Sequence, residues 1–112
     1  MAGELIPERL LHILPSHIIN RIVVMDLKPG QTRGPCWEFR GDPSSNGYMR
    51  CWYGGSRHMA HRLIYELHFK KDIRKWQLDH LCENRPCCNP DHMDPVTPKI
   101  NALRRTKRRK KA

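Results

Sequence analysis

The sequence predicts a small α+β domain built from an antiparallel hairpin, a central helix and a metal as reinforcement. Three observations lead there. Two aromatic-rich runs of strand character flank a turn-rich stretch at residues 41–47. A later segment repeats its apolar residues at helical spacing. Residues 78–92 hold three cysteines, two histidines and two aspartates, too dense a set of metal-binding side chains for an ordinary loop. A chain of 112 residues buries a limited apolar core, so a structural metal suits its size.

Residues 1–34 read as a helical appendage and linker. Pro7 suits the first turn of a short helix that ends at Leu14, with Leu10, Leu11 and Leu14 on one face. Ser16 is a candidate N-cap for a second helix through about Met25, which turns Ile18, Ile19, Ile22 and Val23 inward. The turn-rich residues 28–35 close the appendage. Residues 36–40 and 48–53 then form the hairpin, with Trp37, Phe39 and Trp52 as core and Arg50 free to lie in a nucleic-acid groove.

Ser56 is expected to cap the central helix, residues 57–69, whose Ala60, Leu63, Ile64 and Leu67 face the core. His61, Tyr65 and His68 share another side and read as solvated surface, with Arg62 near enough to touch a phosphate. Residues 70–75 are a polar connection, and 76–81 alternate as a short strand. Residues 93–96 form a second strand. Thr97 and Pro98 then start a last helix that runs to about Arg105, anchored by Ile100 and Leu103, before a basic tail at 107–112.

The formal net charge is +10, but residues 99–112 carry eight Lys or Arg and no acid, leaving +2 for the rest. Such a cluster, Arg104, Arg105 and Arg108 among it, suits a phosphate backbone and so a nucleic acid. The five cysteines are odd in number, and the N-terminus lacks the basic start and long apolar run of a secretory signal. An intracellular, cytoplasmic setting follows, in which clustered cysteines bind metal rather than pair as disulfides. No apolar run is long enough to span a bilayer, so no membrane partner is expected.

Two sets of residues carry chemistry. Cys82, Cys87 and His92 are spaced by four residues each, and Cys36 is the candidate fourth ligand of a structural zinc; Cys51 and Cys88 are its competitors. The second set is Asp79, His80 and Asn101. A neutral imidazole at a strand end can take a proton from an attacking water. A divalent cation on a side-chain oxygen can stabilise the charge that develops on a phosphodiester.

These motifs, Asp79-His80-Leu81-Cys82 with Asn84-Arg85, Cys87, Asn89-Pro90, His92 and Asn101, resemble the HNH endonucleases of the His-Me finger superfamily. The zinc-bearing phage and intron-encoded members and the His-Cys box homing endonucleases are especially similar. Cys36-Trp37-Glu38-Phe39, Asn46-Gly47-Tyr48 and Ala60-His61-Arg62 extend the likeness upstream, so residues 35–106 form the nuclease domain.

The resemblance implies a ββα-metal motif with His80 as general base. It also implies Asn101 as ligand of one catalytic Mg²⁺ or Mn²⁺, Asp79 as a second ligand, and Cys36, Cys82, Cys87 and His92 around one structural zinc. The implied activity is DNA cleavage or nicking, leaving 5′-phosphate and 3′-hydroxyl ends, by a monomer or homodimer, with homing or another phage role. The rival readings are a non-catalytic zinc module that binds nucleic acid and a small basic zinc protein of a ribonucleoprotein particle. Neither requires His80 or Asn101.

Overall fold

The computed structural model describes residues 6–111, and side chains through Arg109. Two short helices open it, α1 (Glu8–Ile13) and α2 (Ser16–Ile19). Strand β1 (Ile22–Val24) pairs antiparallel with β2 (Trp37–Phe39), bringing Ile22 opposite Phe39. The sequence placed residues 22–25 in the second helix. Ile22, Val23 and Val24 are β-branched, stiff side chains that favour a strand, and the partner edge of β2 outweighs the helical spacing.

The other edge of β2 is also taken. Phe39 N–H donates to Pro86 at 3.0 Å and Cys88 N–H to Trp37 at 2.7 Å, so the Cys-rich loop runs alongside as a third, irregular strand. The expected hairpin between residues 36–40 and 48–53 therefore gives way to another. Strand β3 (Asp42–Pro43) pairs with β4 (Met49–Tyr53), and β4 with β5 (Ser56–Met59). Gly41 allows the chain to pass from β2 to β3. A Cβ there would lie 2.6 Å from the Arg50 carbonyl and 2.5 Å from the Phe39 ring.

Gly54 and Gly55 both have positive φ, 59° and 81°, and close a two-residue turn between Tyr53 and Ser56. That turn makes residues 56–59 a strand and delays the central helix. Helix α3 (Ala60–Phe69) starts at Ala60 without a side-chain cap, so Ser56 is not its N-cap. Strand β6 (Gln77–His80) pairs with β7 (Met93–Val96), with a single 3-10 turn at Pro90–His92 between them. Helix α4 (Pro98–Lys111) follows. Thr97 Oγ1 accepts from Ile100 N–H at 3.2 Å as its cap, and the helix continues well past Arg105.

The main core joins Leu10, Leu14, Ile18 and Ile22 to Trp37, Phe39, Cys51, Leu63 and Ile64. A buried side chain of this size contributes about 2 kcal/mol. A second, smaller cluster holds Tyr65, Ile73, Leu78 and Met93. Helix α3 is thus covered on two sides, which buries His61 and Tyr65 rather than leaving them solvated. Ile73, within the connection read as polar, is buried. Trp52, Ile100 and Leu103, expected in the core, are exposed. No helix among the described residues is long and apolar enough to cross a membrane.

Candidate active site

Three chain segments meet at the Cys/His cluster. Cys36 comes just before β2, the loop after β6 supplies Cys82 and Cys87, and the 3-10 turn supplies His92. Their ligand atoms all lie within 4.8 Å of one another. Nδ1 of His92 is 3.7 Å from Cys36 Sγ and 3.6 Å from Cys87 Sγ. Tetrahedral ligands at zinc distances stand roughly 3.5–3.8 Å apart, so the cluster fits one zinc.

The surroundings fix these ligands. Nε2–H of His92 donates to Gly34 O at 2.8 Å, leaving Nδ1 for the metal, and Gln31 Nε2 donates to Cys36 Sγ at 3.6 Å. Asn89 donates to Pro35 O at 2.9 Å and caps the 3-10 turn by accepting from Asp91 N–H at 3.0 Å. Three neighbouring sulfurs cannot all ionise unaided. The hydrogen bond between Cys82 and Cys87 holds the first thiol well below its ordinary value and, with burial, pushes the second far above. A divalent cation removes that conflict. Cys51 and Cys88, the competing thiols, lie in the main core, and burial pushes both upward.

Beside the cluster, Asp79, His80 and Asn101 line one cleft of about 430 Å³. His80 ends β6 and is buried. Its Nε2–H donates to the Cys87 carbonyl at 2.9 Å, and Nδ1 is buried with no hydrogen-bond partner. A carbonyl only accepts, so Nε2 carries the proton and Nδ1 the lone pair. Burial holds the imidazole below its ordinary pKa, against the opposing Cys87 carbonyl, which keeps the ring neutral at pH 7. Asn101, in the first turns of α4, donates from Nδ2 to Gln77 Oε1 at 2.7 Å and keeps Oδ1 for another partner.

Asp79 differs from the sequence expectation in its company. Arg104 donates to its Oδ2 at 3.0 Å, and Arg108 to Oδ1 and Oδ2 at 2.8 and 3.0 Å. Burial raises the Asp79 pKa, but the two guanidiniums outweigh it and hold the carboxyl below its ordinary value. Arg104 also bonds Asp94 at 2.8 Å, so these two arginines seat α4 on the β6–β7 pair. Arg50 pairs with Asp42 at 3.0 Å, and Arg62 donates to the carbonyls of Trp76 and Ile73. Arg105 lines the cleft and has no carboxylate partner among the described residues.

Two side chains that the sequence reading left outside the site touch it. Tyr48, just before β4, lines the cleft, and His61, on α3, stacks on it. The available signal was the breadth of the α3 pattern. Tyr65 follows His61 by one turn, and apolar Ile73, Leu78 and Met93 lie further along the chain to bury that side.

The sequence pattern of the HNH endonuclease family matches residues 58–103, which run from β5 through Asn101. Three phage proteins are similar. One is the uncharacterized gene 5.3 protein of Enterobacteria phage T3, 32% identical over 73 residues, covering 60% of this chain and 72% of that protein. Protein 2.8 of Escherichia phage T7 is 30% identical over 91 residues, 80% of this chain and 57% of its own length. Protein 7.7 of the same phage is 36% identical over 67 residues, 60% of this chain and 52% of its own. The chain therefore spans little more than half of each T7 protein. No solved structure matches it. With a Cys₃His cluster beside a neutral, one-sided histidine and an asparagine across the cleft, the chain belongs to the HNH endonuclease family.

Proposed function

We propose that the chain is a metal-dependent DNA endonuclease that hydrolyses phosphodiester bonds, with residues 35–106 as the nuclease unit and His80 as general base. The observation that carries this is the state of the His80 ring. Nε2–H is tied to the Cys87 carbonyl at 2.9 Å, and Nδ1, buried, keeps a lone pair with no partner, in a residue that lines the cleft shared with Asn101. That nitrogen takes the proton of an attacking water.

One Mg²⁺ or Mn²⁺ in the cleft would stabilise the charge developing on the phosphate and on the leaving 3′ oxygen. Asn101 fits it through Oδ1. Asp79 is a second candidate ligand, and it reaches a cation only as Arg108 gives way, because both its oxygens are engaged. Arg105, together with the other arginines on the cleft side of α4, holds the DNA backbone without reading its sequence. The Cys36, Cys82, Cys87 and His92 cluster binds its zinc for structure alone.

The phage relatives support a phage-encoded enzyme, and thiols that must stay reduced to bind metal suit the host-cell cytoplasm. Supercoiled plasmid with Mg²⁺ or Mn²⁺ tests the reading. The protein should convert it to nicked circles if it acts as a monomer, or to linear DNA if two copies act together. His80→Ala, with zinc content unchanged, should lower the rate by roughly 10²–10⁴-fold. Binding without cleavage by both proteins, across metals and sequences, would establish the rival, a non-catalytic zinc module.

A further inference from the structure

We infer that Tyr48 and His61 are positioning residues for the base, a wall of two rings that fixes the plane of the His80 imidazole at the edge of the cleft. The inference rests on the reading of His80 as base. Its starting point is that His80 is hydrogen-bonded at one corner only. A single bond at Nε2 sets the tautomer, but it leaves the ring plane free to turn, so packing has to fix the plane.

The packing is a closed triangle of rings. Tyr48 and His61 stack at 4.9 Å with planes 24° apart, and His80 lies 4.8 Å from His61 and 5.6 Å from Tyr48. Each ring comes from a different element: the approach to β4, helix α3 and the end of β6. The first two adjoin elements that supply the main core, Cys51 from β4 and Ala60, Leu63 and Ile64 from α3, so the wall ties the base to that core. The Arg85 guanidinium lies 5.4 Å over the Tyr48 ring and holds that ring in turn.

His61 is an odd choice if packing alone mattered. It is 7% exposed, and its Nδ1 is buried without a partner, a desolvation cost that an apolar residue of similar size avoids. Burial, with His80 and Arg62 nearby, lowers its pKa to about 3, so it stays uncharged. A neutral neighbour suits a base that must become cationic, whereas a second cation at 4.8 Å would oppose the proton transfer.

Three variants test this: Tyr48→Leu, His61→Leu and Tyr48→Phe. Plasmid nicking is read as separate kcat and KM, alongside zinc content and melting temperature. The plane of the His80 ring is read from NOEs between its Cδ2–H and Cε1–H protons and the backbone protons around Cys87. Both leucine variants should lose roughly 10–100-fold in kcat, with KM within about threefold. They should keep their zinc, and His61→Leu should melt no lower than the native chain. Tyr48→Phe should restore the rate lost in Tyr48→Leu.

The single set of ring-proton NOEs of His80 should give way to averaged contacts in the leucine variants. An unchanged set in both would overturn the inference, whatever happens to the rate, and so would native kcat in both. If the native protein itself nicks no DNA, it is the reading of His80 as base that fails. The NOE measurement then still decides whether the wall orients the ring. Tyr48 is only half-buried, so Tyr48→Leu carries the test should His61→Leu fail to fold.

Discussion

Cys87 accepts the Nε2–H of His80 on its backbone carbonyl at 2.9 Å, while its thiol stands 3.6 Å from Nδ1 of His92. One residue thus serves the Cys/His cluster with its side chain and His80 with its main chain. Zinc removal, by chelation or by Cys82→Ser, should therefore disorder the loop and free His80 together. The binding energy of a structural zinc is of order 10 kcal/mol, so the melting temperature should fall by more than about 10 °C. Calorimetry, zinc assay and plasmid nicking check this in parallel. Full activity without zinc would separate the two sites.

Asp79 is 3% exposed as a side chain and holds Arg104 and Arg108, which are about one-third exposed. Asp79→Asn keeps the shape and removes the charge that seats α4. After allowance for the solvation of the arginines, it should cost about 1–3 kcal/mol in urea unfolding. Since the folded carboxyl is held below its ordinary value, this stabilisation is present above about pH 4 and lost as pH falls through the folded pKa. The difference between native and variant stability should shrink accordingly.

Gly41→Ala should destabilise through shape alone. The added methyl would meet the Phe39 ring at 2.5 Å and the Arg50 carbonyl at 2.6 Å, and Phe39 is itself 1% exposed, so neither neighbour can easily retreat. A cost of about 2–3 kcal/mol is expected by urea unfolding, with zinc content unchanged. A variant as stable as the native chain would mean that β2 and β4 can part at this point.

His61 should make the molecule sensitive to mild acid. Its folded pKa is about 3, so from the ordinary histidine range downward the unfolded chain binds a proton that the folded one refuses. Stability then falls by about 1.4 kcal/mol per pH unit, or about 2 kcal/mol between pH 6.5 and 5. His61→Leu should remove this slope. The comparison between the two proteins at each pH cancels any zinc loss common to both, and equal slopes would refute the assignment.

Much of the second half of the chain could be read from the sequence. The strand at 93–96, the capped start of α4 at Thr97, and the spacing of Cys82, Cys87 and His92 are local signals, and each appears where expected. The misread segments depend on partners distant in sequence. Ile22–Val24 became a strand because β2 offered an edge, and residues 56–59 because Gly54-Gly55 closed a hairpin. His61 looked polar and solvated because nothing local reveals that α3 is covered from both sides. The Asp79 clamp was hidden for a related reason, since only a helix running well beyond Arg105 brings Arg108 back over β6.

The double pairing of Trp37–Phe39, with β1 on one side and residues 86–88 on the other, sets a limit on trimming the molecule. A shortened form lacking residues 1–24 would keep every metal ligand and both Asp79 and His80. It would also leave one side of β2 with unpaired N–H and C=O groups directly beside Cys36. Such an open edge recruits strands from other chains. The cut also takes Leu10, Leu14, Ile18 and Ile22 out of the main core, so a weakened fold that self-associates is the failure to expect of such a shortened chain, even with the Cys/His cluster and His80 retained.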